Sequence, residues 1–279
     1  MELSLGFSSC PNDTYIFDAM INKRIDTEDL VFRYHLADVE ELNGEAMLGE
    51  NDISKISYNA MTRLSEKYIL LNSGSALGFN NGPLLISSRK ISEDELPGLR
   101  IAIPGKFTTA NLLMAMIWPS ALNKVEYLFS DIEDAVLEGE VDAGLIIHEN
   151  RFTYSEKGLK LIADLGKIWD GMTGMPIPLG GIAIKRSLPT IIQQKVDRIM
   201  RKSVDFAFSN PDLSRDFVSK YADAMDSEVI RKHISLYVNE FTYDLGAKGR
   251  EAVRFLFSRS RSAGIITSFT EPLFVSSDL

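Results

Sequence analysis

Short apolar runs alternate along this chain with stretches whose apolar positions recur at helical spacing, the pattern of an α/β protein. Leu3 to Phe7 alternates apolar with small or polar residues and ends in Ser8-Ser9-Cys10-Pro11-Asn12-Asp13, a loop of turn and cap formers. Tyr15 to Ile21 then takes on helical spacing. Leu30 to Leu36 predicts a second strand and Val39 to Leu48 a helix ending near Gly49. Asp52 to Ile56 predicts a third strand, followed by a helix over Tyr58 to Leu64. After Lys67 the pattern changes. Tyr68 to Leu71 is apolar, and Gly74 to Pro83 carries the glycine and proline punctuation expected of a domain crossing.

A second block restarts the alternation. Leu84 to Ser87 reads as a strand and Arg89 to Glu95 as a charged surface connection. Leu99 to Ile103 is a strand, Pro104 to Thr109 a loop and Ala110 to Trp118 a helix. Val125 to Phe129 is a strand, Ile132 to Glu138 a helix, and Ala143 to Ile147 the strand that presents His148. Leu161 to Asp164 and Ile182 to Ile184 are later strands around Gly174 to Gly181, a second punctuation at which the chain is expected to cross back. Val196 to Phe208, Ser214 to Tyr221, Glu228 to Tyr237 and Lys248 to Ala263 are helical in pattern and are expected to complete and cover the first domain. Two blocks, two crossings and a return predict a two-domain periplasmic-binding-protein-like type II architecture. Its large α/β domain would be discontinuous (1–83 and 186–279), its small α/β domain would span 84–185, and its ligand cleft would lie between them. That fold serves binders, regulators and enzymes alike, so function must be argued from the site.

Composition narrows the classes. A chain of 279 residues, 45% hydrophobic and 25% charged, has ample apolar material for the core of a soluble globular protein of about two domains. Its net charge of −9 offers no electrostatic footprint for nucleic acid or an anionic membrane surface, so an anionic ligand must be held by local donors. No basic-then-apolar leader precedes the first strand, and Leu112 to Trp118 is far too short to span a bilayer. The single cysteine, Cys10, excludes an internal disulfide, and a cytoplasmic location is expected.

The strongest chemical candidate lies in the run Gly144 to Tyr154. Asp142-Ala143-Gly144 is a small-residue approach expected to leave room beside His148, one of three histidines. At a strand's carboxyl end a neutral imidazole suits proton abstraction, and a nearby cation or helix amino end would hold it neutral. Arg151 is a candidate for that cation, for a substrate-carboxylate ligand, or for a surface ion pair. Glu149 is expected on the opposite face if the strand continues. Three loops after strands are expected at the cleft. Asn12 and Asp13 read as helix caps or ligand contacts. In Lys55-Ile56-Ser57, Ser57 reads as an N-cap or a ligand donor. Thr108, Thr109 and Ala110 open a helix in the other block. Opposed seats of this kind would clamp a small carboxylate-bearing molecule.

Other chemistries lack their residues. A phosphate-binding loop around Gly105-Lys106 needs glycine at 100 and Ser or Thr at 107, where Arg100 and Phe107 stand. His148-Glu149 is followed by Phe152 where a zinc helix needs histidine, and neither His35 nor His233 has ligand spacing, so no metal is expected. Gly74-Ser75-Ala76-Leu77-Gly78 has its serine one place early for a nucleophile elbow, and Cys10 reads as a small packing residue. Arg198, Arg201 and Lys202 read as solvated faces.

Leu5 to Phe17, Pro104 to Ala110 and Gly144 to Tyr154, with Pro176 to Gly180 and Pro272 to Val275, together resemble the 1,4-dihydroxy-6-naphthoate synthases of the futalosine route to menaquinone. The resemblance runs over essentially the whole chain, with one departure at Ser9, where the family is expected to have proline. It implies a lyase-type enzyme that converts cyclic dehypoxanthine futalosine to 1,4-dihydroxy-6-naphthoate, without a cofactor. It also implies His148 as catalytic base, Lys55, Ile56, Ser57, Thr109 and Ala110 as ligand loops, and Asn43 lining the pocket. Chorismate dehydratase of the same route and a non-catalytic carboxylate-binding protein remain rivals. The His148 segment and the Cys10 to Asp13 loop favour the synthase over the first, and the lack of an export signal argues against the second.

Overall fold

The computed structural model describes residues 1–222 and 226–276. The chain opens with β1 (Glu2–Phe7), α1 (Pro11–Ile21), β2 (Val31–Leu36), α2 (Val39–Leu48), β3 (Ile53–Ser57), α3 (Tyr58–Leu64), β4 (Tyr68–Leu70) and β5 (Ala76–Gly78). It continues through β6 (Leu84–Ser87), β7 (Ile101–Ile103), α4 (Thr109–Ile117), β8 (Lys124–Glu126), α5 (Ile132–Leu137), β9 (Ala143–Ile146), α6 (Asn150–Thr153), β10 (Lys160–Asp164) and α7 (Leu165–Thr173). Last come β11 (Ile177–Lys185), α8 (Thr190–Ser209), α9 (Arg215–Tyr221), α10 (Ser227–Tyr237), α11 (Glu240–Tyr243) and α12 (Gly246–Ser262). Two units result, Met1–Gly78 with Pro178–Leu279 and, between them in sequence, Phe79–Ile177.

Local signals explain most boundaries in the first unit. Pro11 sits in the first turn of α1, where its missing N–H costs nothing. The Asp38 carboxylate accepts from the Glu40 N–H to open α2, and Gly49, at φ 77°, closes it in the left-handed conformation that glycine adopts without strain. The sheet runs β2-β1-β3-β11-β4, with β5 paired to β11. β1 lies parallel to both β2 and β3, and β11 returns antiparallel to β3. Leu3, Leu5, Phe7, Ile53, Ile182 and Ile184 of these strands form its core, joined by Phe17 of α1 and Met200 of α8.

The second unit repeats the same start. β7 lies parallel to β8 on one side and β9 on the other, within the order β10-β6-β9-β7-β8. Leu84, Ile86, Ala102, Ile132, Val136 and Ile146 form its core. In both units the first strand of the repeat is flanked by the second and third, so the chain reverses its direction of travel across the sheet at that strand. Open α/β sheets present ligand-binding loops at such a switch point, beyond the strands' carboxyl ends. Those ends carry Ser8–Asp13 and Lys55–Ser57 in one unit, and Gly105–Thr109 and His148 in the other.

Several sequence expectations need correction. Gly174 to Gly181 was expected to be a crossing, and the chain does return to the first unit there, between Ile177 and Pro178, but it does so at the start of one continuous strand, Ile177–Lys185. Its glycines serve close approach rather than turning: a Cβ on Gly180 would lie 3.0 Å from the Ile56 carbonyl, and one on Gly181 would lie 3.0 Å from the Tyr58 hydroxyl. The pattern gives no sign of α7, whose Gly166 packs its backbone against Gly82 at a distance no side chain could share. The expected strand Val125 to Phe129 stops at Glu126, and a 3₁₀ turn follows over Phe129–Asp131.

Arg198 and Lys202 do lie on a solvated face, their side chains 35% and 45% exposed, but they are paired there. On successive turns of α8 they clamp Glu28, with the Arg198 Nη2 2.6 Å and the Lys202 Nζ 2.9 Å from its carboxylate, while Arg201 pairs with Asp244. The Arg198 hydrogen bond, helped by Lys202, holds the Glu28 carboxyl down at about 2, below its ordinary 4.5. A carboxyl depressed on folding contributes stability above its ordinary range and loses it as pH falls through the folded value. Glu28→Gln should therefore lower the melting temperature near neutrality, and the gap from the native protein should close between pH 4.5 and about 2. Parallel acid profiles for the two proteins would show that the clamp contributes nothing.

Candidate functional site

In the first unit, the neighbouring carboxyl ends of β1 and β3 bring two polar loops together. The N-cap of α1 is Cys10, not Asn12 or Asp13, and neither of those side chains serves as a cap. Asp13, 2% exposed, is instead the centre of a buried cluster. Its Oδ1 accepts from the Lys55 Nζ at 2.6 Å and from the Asn12 Nδ2 at 2.8 Å, and its Oδ2 accepts from the Ser8 hydroxyl at 2.7 Å. The Lys55 ammonium also donates to the Gly74 carbonyl at 3.3 Å. Isolated buried charges are costly, and a paired, hydrogen-bonded carboxylate is the form that survives burial.

One residue further along β3, Ile56 is fully buried and offers only its backbone. Ser57 precedes α3 without capping it through its side chain. Its N–H donates to the Asn43 Oδ1 at 2.9 Å, and its hydroxyl accepts from the Asn43 Nδ2 at 3.1 Å. Asn43 thus reaches from α2 with both ends of its amide committed to Ser57, and Glu40 takes the other amide proton at 2.9 Å. Behind this loop, Tyr58 bonds Ser75 at 2.7 Å, and burial pushes its phenol far above the ordinary range, leaving it a neutral structural group.

In the second unit, Thr108 is the N-cap of α4. Its hydroxyl accepts from the Asn111 N–H at 3.3 Å and donates to the Gly105 carbonyl at 2.7 Å. Thr109 and Ala110 form the helix's first turn, where backbone N–H groups have no intrahelical partner. Beside it, β9 ends at Ile146, so His148 is not on the strand but in the turn after it, at φ 58°. A left-handed conformation in a non-glycine residue costs energy, and such residues concentrate where a side chain must be aimed. The imidazole meets the Phe129 ring edge-on, 4.9 Å between centroids.

Three expectations about this turn change. The alternation that would turn Glu149 away lapses, because no strand continues through it. Gly144 leaves no open room, since a Cβ there would lie 2.4 Å from the Ile132 Cγ2 of α5: its smallness admits a helix. Arg151 forms an ion pair, but a largely buried one. Its Nη2 lies 3.7 Å from Asp164, and its Nη1 donates to the Gly82 carbonyl at 2.5 Å, so its guanidinium fastens the unit's own turn.

Sequence reasoning missed His233. Its Nε2 lies 2.8 Å from the Asn12 Oδ1, and it is fully buried on α10. The available signal was a histidine one helical turn before Tyr237 on an otherwise apolar face, and the two rings lie 4.7 Å apart. Among the described residues no group of three or more His, Cys, Asp or Glu side chains is placed to hold a metal, and no helix is long and apolar enough to cross a membrane.

Removing the Lys55 ammonium would strand the Asp13 carboxylate in the core. Lys55→Met should cost about 3–5 kcal/mol in chemical denaturation, with much of the loss recovered when Asp13→Asn is added. A cost below about 1 kcal/mol would mean that Asp13 does not depend on its partner.

Comparisons with known proteins bear on the whole chain. The menaquinone biosynthesis family model matches residues 3–262. A 1,4-dihydroxy-6-naphtoate synthase from Thermus thermophilus is 40% identical over 98% of this chain and 99% of that protein. One from Streptomyces coelicolor is 39% identical over 95% and 94%. Among solved structures, protein AF1704 from Archaeoglobus fulgidus superposes with a TM-score of 0.89 at 35% identity, covering 95% of this chain and 98% of that one. The alkanesulfonate-binding protein SsuA from Xanthomonas axonopodis pv. citri, at 13% identity, shares the fold with a TM-score of 0.74 over 98% and 97% of the two chains. The architecture is therefore the two-domain periplasmic-binding-protein-like type II α/β fold, and with the family model spanning residues 3–262 and the relatives matched over nearly their full length, this chain belongs to the menaquinone biosynthesis family.

Proposed function

We propose that the protein is a 1,4-dihydroxy-6-naphthoate synthase that converts cyclic dehypoxanthine futalosine to 1,4-dihydroxy-6-naphthoate, with His148 as the base. The observation that carries this reading is the 40% identity to the Thermus thermophilus synthase over 98% of the chain, a span that includes every candidate residue. The residues support it chemically. Each unit offers candidate substrate-binding groups of its own: the first the loop Lys55, Ile56 and Ser57, which Asn43 braces, and the second the amino end of α4 at Thr109 and Ala110, which Thr108 caps. Asn12 acts from behind, through Asp13, and Arg151 holds the turn that carries His148.

His148 removes a proton, the sugar-derived part leaves, and aromatisation of the released ring drives the step forward. A positioned base contributes about 10²–10⁴ in rate. The rest falls to orientation and to local donors, which a chain of net charge −9 needs in order to hold an anion. A reaction of this kind needs no cofactor.

The test is to incubate the full chain with cyclic dehypoxanthine futalosine and follow 1,4-dihydroxy-6-naphthoate by chromatography and mass. The native protein should form product, and His148→Asn should lose at least about 10²-fold in kcat with little change in KM. Dehydration of chorismate without naphthoate formation would assign the protein to the sister reaction. Carboxylate binding without turnover of either substrate would make it a binding protein.

A further inference from the structure

We propose that His233 is a positioning residue of the substrate-carboxylate site: acting through Asn12 and Asp13, it holds the Lys55 ammonium in the orientation in which that group receives the carboxylate. The proposal rests on the reading above, in which Lys55 belongs to the substrate-binding loop. The four side chains form an unbroken line of hydrogen bonds: His233 Nε2 to Asn12 at 2.8 Å, Asn12 to Asp13 at 2.8 Å, and Lys55 to Asp13 at 2.6 Å. All are buried, His233 completely and the others at 8% exposure or less.

Chemistry fixes the sense of each bond. A carboxylate only accepts, so Asn12 must turn its NH₂ toward Asp13, which leaves the amide oxygen toward His233. That oxygen also only accepts, so the His233 Nε2 must carry a proton and donate it. Replacing the imidazole with an apolar group would leave the Asn12 oxygen without its donor in the core, and the amide could then rotate away from Asp13. Asp13 would keep Ser8 and Lys55, but its Oδ1 would lose Asn12, the donor that helps fix the carboxylate on which the ammonium is seated.

The consequence is felt at Lys55. Among the described residues, Asp13 and the Gly74 carbonyl take two of its three ammonium protons. The third is the one a ligand can use, and its direction is set by the other two. The imidazole arrives from α10, 221 residues beyond Asn12, and α10 packs against α1, so the line also ties the last helices to the binding loop. A histidine serving only to fasten α10 would change stability and leave Lys55 as it was.

Two measurements on the full chain separate these roles. The first follows the Lys55 ammonium directly, by proton exchange at ¹⁵Nζ-labelled lysine, with the signal assigned by its loss in Lys55→Met. Exchange should be about tenfold faster in His233→Leu and in Asn12→Ala, and near native in His233→Gln, which restores a donor. The second is naphthoate formation well below each variant's melting temperature. KM should rise about tenfold in His233→Leu and in Asn12→Ala with kcat changed far less, and the double variant should be no worse than either single.

Unchanged ammonium exchange and KM within about twofold of native in Asn12→Ala would overturn the proposal, even if His233→Leu fails to fold. So would a folded His233→Leu whose only defect is a lower melting temperature. If the native chain forms no naphthoate, the reading of its function fails, and the exchange measurement decides the network by itself.

Discussion

A carboxylate cannot be buried alone, and the 2.6 Å contact between the Lys55 ammonium and Asp13 is what allows this one to sit at 2% exposure. Much of the first unit is arranged around that contact. Asp13 comes from the first turn of α1, Lys55 from β3, and the Gly74 carbonyl from the connection between β4 and β5. Gly180 of β11 passes 3.5 Å from the lysine stem at the place where its own Cβ would stand. Elements distant in sequence therefore meet at one charge pair, and the loop to Ser57 follows directly from it, since Ser57 is two residues beyond Lys55.

Strand order determines why the chemistry collects there. In both units the second strand lies to one side of the first and the third to the other, so the carboxyl ends of the first and third strands are neighbours. The first unit places Ser8 to Asp13 next to Lys55 to Ser57 in this way, and the second places Gly105 to Thr109 next to the His148 turn. Right-handed crossovers require only that the strands be parallel and the helices pack back on the sheet. The polar loops then fall at one edge without any long-range signal in the sequence.

The two units hold their groups by different means. In the first, charged and amide side chains satisfy one another in a network with little exposure. In the second, backbone geometry does most of the aiming: Thr108 closes the amino end of α4, and His148 takes a left-handed conformation immediately after its strand ends. Both arrangements fix polar groups locally, at the carboxyl ends of strands, on a chain whose net charge is −9.

Period and punctuation in the sequence were enough for the α/β class, for the boundaries of α2 and α3, for β6, and for placing the segments at 55–57, 108–110 and 148 at or just beyond strand ends, because these rest on local spacing and cap chemistry. Only the tertiary structure decided how the glycines are used. Gly144, Gly180 and Gly181 read as room or crossing, whereas each marks a close approach by another element. It also decided what the polar groups do. Asn12 and Asp13 look like caps from their neighbours, but hydrogen bonds to Lys55 and His233 give them another role. Partners 42 and 221 residues distant leave no periodic trace, since a contact of that range is specified by strand order and helix packing rather than by the residues beside it.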